Sequence, residues 1–358
     1  MSDSQKWLIL AVFIALGALL YRLAPILMPF AIAAILAYLG DPLVDRLETY
    51  RYRKFRLSRT LAVSLVFLLI SFFLIAILLV MIPTIEYQVG EFIDKLPSYL
   101  RWVNKSAVPA LQDYFGKGIR PIKADQLIPL IRNYWQDSSQ LTGNLFKSVS
   151  HSGAVIIGWL MNLVLIPVLT FYLLRDWDEL VAKIHDLFPR RLAATVGKLA
   201  AEADDVLGAF LRGQFYVMLA LGMIYSLGLV LIGLDLALLI GMTAGLISFV
   251  PYMGAFVGIV MACIAALLQF QDAIHLISVL IVFGVGQTLE STLLTPWLVG
   301  NKIGLHPVAV IFAVLAGGQL FGFLGILLAL PVASVIMVLL RHIHERYTVS
   351  GFYSGSNL

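Results

Sequence analysis

The sequence has 358 residues, of which 60% are hydrophobic and only 13% are charged, and its mean hydropathy is +0.93. A water-soluble protein of this size has too little interior for so many apolar residues, so the composition excludes a soluble domain and predicts a polytopic membrane protein. The formal net charge of +4 does not indicate nucleic-acid binding, because the cations lie in loops beside apolar segments, where orientation in the membrane explains them.

The first apolar segments predict membrane-spanning helices, each of which needs about 20 mostly apolar residues. The qualifying segments are residues 7–20, 23–39, 60–82, 154–174 and most of 215–340. The first two are short and nearly continuous, so we expect a helical hairpin that turns at Tyr21 and Arg22. No small-residue cleavage site follows residues 7–20, which we therefore interpret as a retained first helix.

The loop of residues 41–59 predicts the orientation of the chain. It carries six Lys or Arg residues against three acids, and short cation-rich loops stay in the cytoplasm. Counting spans from this loop puts the N-terminus in the cytoplasm, residues 83–153 outside and residues 175–212 back inside. The C-terminal RHIHER, at residues 341–346, fits the cytoplasmic side.

Two segments between the spans show helical periodicity. The external residues 83–153 carry apolar residues near helical spacing, namely Ile85, Val89, Phe92, Leu96 and Leu100, and then Leu127, Ile131, Tyr134 and Trp135. They predict a small helical subdomain, which we interpret as a solvated cap rather than a ligand-binding domain. The charged residues 175–213 predict an amphipathic linker on which Leu199, Val206, Leu207 and Phe210 share a face.

The last membrane block contains two apolar runs of 33 residues each, 236–268 and 308–340. At about 1.5 Å per residue, one straight helix of this length would exceed a hydrocarbon core of about 30 Å by well over half. Each run must therefore tilt steeply, break, or enter the membrane and turn back. Both are interrupted near the middle, the first by SFVPYMGAFVG and the second by AGGQLFGFLG.

These interruptions have two interpretations. Pro251 lacks a backbone donor and Gly254 and Gly258 permit unusual dihedral angles, so the first run could open around a solute. Alternatively, the glycines form a helix-packing face and Pro251 a static kink. The second interruption allows the same pair of interpretations at Gly318, Gly322 and Gly325, beside Gln319, a polar side chain that could contact a solute. Paired discontinuities are a strong pointer to a transporter's binding site.

Glu290 is a candidate pathway residue because it lies inside an apolar segment. A carboxylate at membrane depth is unfavourable and usually faces a cavity or a polar partner. Gln287 lies three residues earlier on the same helical face, and nearby hydroxyls make this side of the helix polar. The hypothesis is that Gln287 and Glu290 contact a solute or a coupling ion. The alternative is a hydrogen bond that serves packing alone.

Several other features favour structural roles or exclude whole classes of function. His306 and Pro307 are typical of a helix start, where a first-position proline is favoured. The single cysteine, Cys263, excludes an intrachain disulfide and cysteine-rich metal sites. The sequence has no HExxH motif, no P-loop and no intramembrane protease pattern, so we expect no enzyme, no cofactor and no metal.

Motifs along almost the whole chain resemble the AI-2E transporter family, which includes PerM-like permeases. They are PFAIAAILAYLGDPLVDRL at 29–47, FYLLRD at 171–176, FVPYMGAFVG at 249–258, the spaced set Gln287, Glu290, Pro296, Gly300 and Leu305-His306-Pro307, and GQLFGFLGILLALPVASVIMVLLRH at 318–342. The order and spacing of these motifs, rather than any one of them, make the resemblance specific.

The resemblance implies an all-α polytopic protein with about eight membrane segments and a helical extracytoplasmic insertion, and the two interrupted runs are the segments that we expect to be broken or re-entrant. The resemblance also implies homo-oligomers, with pentamers typical of the group, in the bacterial inner membrane, and the loop charges predict that both termini are cytoplasmic. Family substrates include the signal autoinducer-2 in some members and sodium or lithium exchanged for protons in others.

The expected organisation has six parts: N-terminal helices 1–82, an extracytoplasmic subdomain 83–153, a membrane helix 154–174, a linker 175–213, a transport core 214–341 and a tail 342–358. The leading hypothesis is an ion-gradient-coupled carrier of a small polar solute or a monovalent cation, gated by the two broken segments. A passive channel and a non-transporting membrane assembly protein are the alternatives.

Overall fold

The computed structural model describes residues 3–49, 58–109, 112, 129, 153–300, 306–349 and 353. Within these ranges the chain is almost entirely helical and contains no β-strand. The structure therefore confirms the predicted all-α architecture of a polytopic membrane protein.

Eight α-helices make up most of the described chain. They are α1 Asp3–Thr49, α2 Arg59–Trp102, α3 Gly153–Asp186, α4 Arg190–Ile232, α5 Ala237–Ile247, α6 Met253–Phe270, α7 Ala273–Leu289 and α8 Pro307–Thr348. Two π-helical segments, Val103–Ala107 and Glu290–Val299, follow α2 and α7. Against about eight expected spans, six segments of the described residues are long and apolar enough to cross a membrane: Ile26–Thr49, Arg59–Ser106, Leu192–Ile232, Met253–Phe270, Ala273–Val299 and Val308–Thr348.

The predicted hairpin at Tyr21 and Arg22 is wrong, because α1 is one continuous helix from Asp3 to Thr49. Both residues adopt the helical conformation readily, and neither provides the left-handed backbone that ends many helices. Counting spans through that turn had placed the N-terminus on the same side as residues 41–59. Without the turn, the cytoplasmic assignment of the N-terminus loses its basis.

The second helix also runs further than the sequence suggested. α2 continues through Pro83 and Pro97 to Trp102, past the position where the external subdomain was expected to begin. Most of residues 110–152, including the predicted helical face of Leu127, Ile131, Tyr134 and Trp135, lies outside the described residues. The extracytoplasmic subdomain, like the six-part division as a whole, stays a prediction.

The predicted linker after residue 174 is helical on both sides of a short turn. α3 ends at Asp186, and the amides of Leu187 and Phe188 donate back to the carbonyls of Ile184 and His185 at 3.2 Å each. α4 then begins at Arg190 and continues into its apolar half, with Val206 and Phe210 buried. One helix thus joins the charged linker to a membrane span.

The chain divides into two compact units, each assembled from separated stretches. The first consists of Met1–Ile70, Leu160–Gln214 and Leu298–Leu358, and the second of Ser71–Trp159 and Phe215–Trp297.

A small apolar core holds α1, α2 and α3 together in the first unit. Its buried members are Ala37, Val44, Ala62, Val63, Val66 and Leu174. The ring of Phe67 meets the ring of Phe171 edge-on at 6.0 Å, which adds an aromatic contact between α2 and α3. At the edge of this core, Arg59 forms ion pairs with Asp41 and Asp178.

In the second unit, α5 packs antiparallel against α4 through residues without large side chains. A Cβ added at Gly241 would lie 2.4 Å from the Ser226 nitrogen, and one added at Gly245 would lie 2.4 Å from the Gly222 Cα. Such close backbone contact is the usual way in which membrane helices associate, because lipid provides no hydrophobic drive for their packing.

Candidate functional site

The first apolar run forms a helical hairpin in the second unit. α5 has 11 residues, or about 16 Å, and is too short to cross a bilayer core of about 30 Å. The chain then turns through residues 248–252 and returns as α6, antiparallel to α5. Pro251 lies in this turn, not within a kinked helix, and Tyr252 adopts a left-handed conformation with φ of 67°. The run therefore breaks and turns back.

The two glycines after the turn allow the arms of the hairpin to touch. A Cβ on Gly254 would lie 1.9 Å from the Ser248 hydroxyl and 2.3 Å from the Ala244 carbonyl oxygen. A Cβ on Gly258 would lie 2.7 Å from the Ala244 Cβ and 2.4 Å from the ring of Phe283. Both glycines are therefore packing positions, and the turn itself is formed by residues 248–252.

Glu290 is buried at the end of α7. It is 7% exposed, and it is the first residue of the π-helical segment Glu290–Val299. The Gln287 side-chain amide donates to the Glu290 carboxylate at 3.0 Å, as their spacing on one helical face predicted. Glu290 takes part in no ion pair within the described part of the chain. The π-helical segment is ten residues long and directly follows α7, and π-helical geometry, which is rare in proteins, is frequent at functional sites.

Tyr225 of α4 packs beside this turn of α7. Its ring is fully buried and stacks on Phe283 with centroids 4.4 Å apart, and a Cβ on Gly286 would lie 2.3 Å from the ring. Gly286 is one helical turn before Glu290. The Tyr225 hydroxyl is buried and has no hydrogen-bond partner among the described residues. Sequence reasoning missed Tyr225, which lies in an otherwise apolar run.

The hairpin turn and Glu290 lie at the same level of the second unit. α6 and α7 are antiparallel, with Phe270 stacked on His275 at one end and Gly258 against Phe283 further along. Pro251, in the turn, lies seven residues before Gly258, and Glu290 lies seven residues after Phe283. Each of these stretches is about 10 Å along its helix and runs in the same direction. The unit thus brings Pro251, Gln287 and Glu290 to one layer.

Hydroxyl groups near Glu290 are satisfied by their own helix. Thr288 donates to the Gly284 carbonyl at 2.8 Å, and Ser291 and Thr292 donate to the Thr288 carbonyl at 3.2 and 2.6 Å. These three side chains are exposed whereas Glu290 is buried, and their hydroxyl protons bond to backbone, so the single polar side expected from the sequence stays a prediction.

The base of the hairpin is fixed by a polar network that the sequence did not reveal. Lys95 of α2 donates to Asp235 at 2.7 Å, and Gln269 of α6 donates to the Gly233 carbonyl at 2.9 Å while accepting from the Asp235 amide at 2.9 Å. Gln88 also accepts from the Leu239 amide at 3.2 Å. Both arms of the hairpin are therefore joined to each other and to α2.

The second apolar run is also a hairpin, located in the first unit. α8 reverses at Gly322, whose φ of 59° and ψ of −137° suit a residue without a side chain. A Cβ on Gly325 would lie 1.8 Å from the Gly317 carbonyl oxygen, and one on Gly318 would lie 3.1 Å from Ile326, so the two arms are in contact. Gln319 is exposed near the turn.

His306 and Pro307 form the start of α8. Pro307 opens the helix, and the His306 imidazole accepts a hydrogen bond from the Val308 amide at 3.3 Å. His306 is therefore placed as a capping residue. Across the described ranges, no group of three or more His, Cys, Asp or Glu side chains is arranged to hold a metal ion.

Comparison with known proteins agrees with this architecture. The sequence profile described as AI-2E family transporter matches residues 8–345. YrrI of Bacillus subtilis (strain 168) is 34% identical over 177 residues, which is about half of each chain. PerM of Escherichia coli (strain K12) is 28% identical over 95% of this chain and 94% of its own. A protein of Halobacillus andaensis named sodium-lithium/proton antiporter is 23% identical over 91% of this chain and 92% of its own.

A family match over nearly the whole length, together with long apolar helices, shows a multi-pass membrane protein of a transporter and permease family. The chain belongs to the AI-2E transporter family.

Proposed function

We propose that the chain carries a small polar solute of the autoinducer-2 type, or a monovalent cation, across the membrane in exchange for an ion. The layer that contains Gln287, Glu290 and the turn at Pro251 is its binding region. Glu290 is the group that holds either a proton or a cation during the cycle.

The observation that carries this proposal is the burial of one carboxyl group among apolar helices with a neutral partner. Gln287 can donate to a carboxylate, but it cannot neutralise its charge. An ionised Glu290 is unfavourable in this setting, so charge neutrality requires a bound proton or a bound cation. Exchange between two ions requires a group that binds a proton or a cation but never both at once.

Two further observations support exchange. The buried hydroxyl of Tyr225, unpaired among the described residues, could contribute an oxygen ligand or a donor beside Glu290. The relative named sodium-lithium/proton antiporter aligns with this chain over most of both sequences, although at low identity. Its name is consistent with monovalent cations as one class of cargo.

The hairpins are suited to act as gates. Each has its turn near the middle of a 33-residue apolar run, and the first has a fixed base at Lys95, Asp235 and Gln269. A single apolar segment, Ala273–Val299, separates the two hairpins in the sequence. Movement of the first hairpin, whose turn lies in the Glu290 layer, would open and close that layer to a solute.

The test uses purified protein in liposomes that contain a pH-sensitive dye. Addition of sodium or lithium outside should move protons in the wild type, and uptake of a labelled autoinducer-2-like solute is measured in parallel under an imposed proton or sodium gradient. Glu290→Gln keeps the size and a hydrogen-bonding group but cannot ionise, so it should abolish coupling. The matched control Glu345→Gln removes an exposed carboxyl group of α8 and should leave transport unchanged.

Each alternative function predicts a different result. Uptake that is insensitive to both gradients and to Glu290→Gln indicates a passive channel. Absence of any flux from well-folded protein indicates an assembly protein whose glycines serve packing. We also propose an inner-membrane homo-oligomer, with a pentamer as the first candidate and the C-terminus in the cytoplasm; mass measurement in detergent and accessibility of a C-terminal tag test these two points.

A further inference from the structure

The first unit contains an acidic cavity of about 1250 Å³ between α1, α3 and α4. Five of its lining residues are aspartates, namely Asp41, Asp45, Asp178, Asp186 and Asp204. Tyr38 and Trp177 also line it, and their rings meet edge-on at 6.4 Å. The cavity therefore combines carboxylates with aromatic faces.

Cations of the described chain neutralise only part of this negative charge. Arg212 lines the cavity and lies over the ring of Tyr38 at 5.9 Å. Arg59 forms ion pairs with Asp41 at 3.4 Å, with Asp45 at 4.0 Å and with Asp178 at shorter range. The Asp204 carboxylate accepts a hydrogen bond from the Tyr38 hydroxyl at 2.5 Å. This donor is neutral and does not offset the charge of Asp204. Within the described residues, the aspartates of the cavity thus outnumber the arginines around them.

A second cavity, of about 870 Å³, adjoins the first and is almost purely apolar. Ala31 of α1 and Leu328 of α8 line both cavities, so the two spaces are neighbours that meet at these residues. Along α1, the residues that face them change from Leu27 and Ala31 to Tyr38 and Asp41 on one helical stripe. The first unit therefore has an apolar cavity beside an acidic one.

We propose that these two neighbouring cavities together bind a single-chain alkylammonium, which is an amphipathic monocation. Its ammonium head would lie among the aspartates, and its hydrocarbon chain would lie in the apolar cavity. The carboxylates and aromatic rings favour a cationic head and disfavour the phosphate of an ordinary phospholipid. The apolar cavity accommodates a hydrocarbon chain and excludes small hydrophilic cations from that part of the site. This site is in the first unit and does not depend on the exchange proposed at Glu290.

The experiment measures saturable binding of radiolabelled dodecylamine, protonated at neutral pH, to the full chain in phosphatidylcholine nanodiscs. Empty nanodiscs correct for partition into lipid. Dodecanol and dodecyl sulfate present the same chain with a neutral or an anionic head, and butylammonium presents the head with a short chain. Labelled dodecylamine should bind saturably. Unlabelled dodecanol, dodecyl sulfate and butylammonium should each displace it at least about tenfold more weakly than unlabelled dodecylamine does.

Paired variants test each end of the site. Asp204→Asn should weaken binding about tenfold, whereas Asp205→Asn, an exposed neighbour outside the cavity, should not. Ala313→Phe fills part of the apolar cavity and should weaken binding similarly, whereas Leu315→Phe, outside its lining, should not. If Asp204→Asn misfolds because it loses the Tyr38 bond, Asp186→Asn, which is exposed, takes its place.

Three results would overturn the proposal. Equal binding of dodecyl sulfate would show that the head cavity does not select cations. Equal competition by butylammonium would show that the apolar cavity plays no part. Wild-type affinity in folded Asp186→Asn and Ala313→Phe would show that dodecylamine binds elsewhere.

Discussion

The ammonium of Lys95 lies 2.7 Å from the carboxylate of Asp235, and this pair joins α2 to the start of α5 across 140 residues of sequence. Asp235 is the more buried partner, with 15% of its side chain exposed against 41% for Lys95. Asp235 also receives a hydrogen bond from Gln269 at 3.2 Å. Asp235 is therefore the centre of the hairpin's base.

Lys95→Met should lower stability by up to about 1 kcal/mol, because the lysine is substantially solvated. Asp235→Leu should lower it by about 1–3 kcal/mol, because it removes the part-buried acceptor that Lys95 and Gln269 share and leaves them only Glu91 and the Gly233 carbonyl. Thermal midpoints in detergent check the order of the two effects. Lys183→Met, which breaks an exposed pair with Glu179, is the control and should change little.

Gly254→Ala should destabilise the first hairpin by several kcal/mol, because its Cβ would overlap the backbone of Ala244 as well as the Ser248 hydroxyl. Gly284→Ala is the matched control on α7, where a Cβ meets nothing within 4 Å and should stabilise the helix by up to about 1 kcal/mol. Denaturant titration in mixed micelles compares them. Equal stability of the two variants would mean that the arms are not in contact.

Gly322→Ala should lower stability by about 1–3 kcal/mol, because an alanine is strained at φ of 59° and ψ of −137°. A Cβ at this position meets no other atom within 4 Å, so the effect isolates backbone strain from crowding. Gly90→Ala, in an ordinary part of α2 with the same free space, should be neutral or stabilising. A harmless Gly322→Ala would argue against a reversal of the chain at this residue.

Gln287→Leu should lower stability by about 1–3 kcal/mol, because it leaves the buried Glu290 without its donor. In the Glu290→Leu background the same substitution should have a smaller effect, since no buried carboxylate remains. The double-mutant cycle gives the interaction energy of the pair. Additive effects would indicate that the two side chains act independently.

Asp272 predicts a pH dependence at the start of α7. The His275 amide donates to its carboxylate at 2.9 Å, and this backbone hydrogen bond, with the His275 ring, lowers the pKa of Asp272 below its ordinary value. A lowered pKa in the folded state means that the stabilisation is complete above the unfolded value of about 3.9 and is lost as the pH falls through the folded value. The thermal midpoint of the wild type should therefore exceed that of Asp272→Asn at pH 7, and the difference should vanish in strong acid.

The sequence predicted those features that depend on local spacing or on length. Gln287 and Glu290 are three residues apart in a helix, so their contact followed from periodicity alone. The breaks in the two apolar runs followed from 33 residues being too long for one crossing. The sequence left open whether each run tilts, breaks or turns back, because that depends on contacts such as Gly254 with Ser248 that form only when the arms fold together.

The sequence did not predict contacts between residues that are distant along the chain, nor the structure at residues that fit a helix and a turn equally well. The pair of Lys95 and Asp235 joins segments that periodicity treats separately, and each residue alone resembles an interfacial charge. In the sequence Tyr225 is one residue of a mainly apolar run, and only the fold shows that its ring packs against Phe283 and Gly286. The hairpin at Tyr21 and Arg22 was inferred from the lengths of two spans, and the continuous α1 shows that apolar segments can share one long helix.

The first hairpin affects how the transmembrane voltage acts on a charge near Glu290. α6 begins near the middle of the apolar run 236–268, where no side chain caps its first turn and the Met253 amide donates to the Val250 carbonyl at 3.2 Å. Amides of a first helical turn that find no partner within the protein require water or another polar group, so we expect some hydration at this turn. Where water enters a bilayer, the transmembrane voltage falls across only the dry thickness that remains. A charge gained or released near this level, at Glu290 for example, would then cross only a fraction of the field.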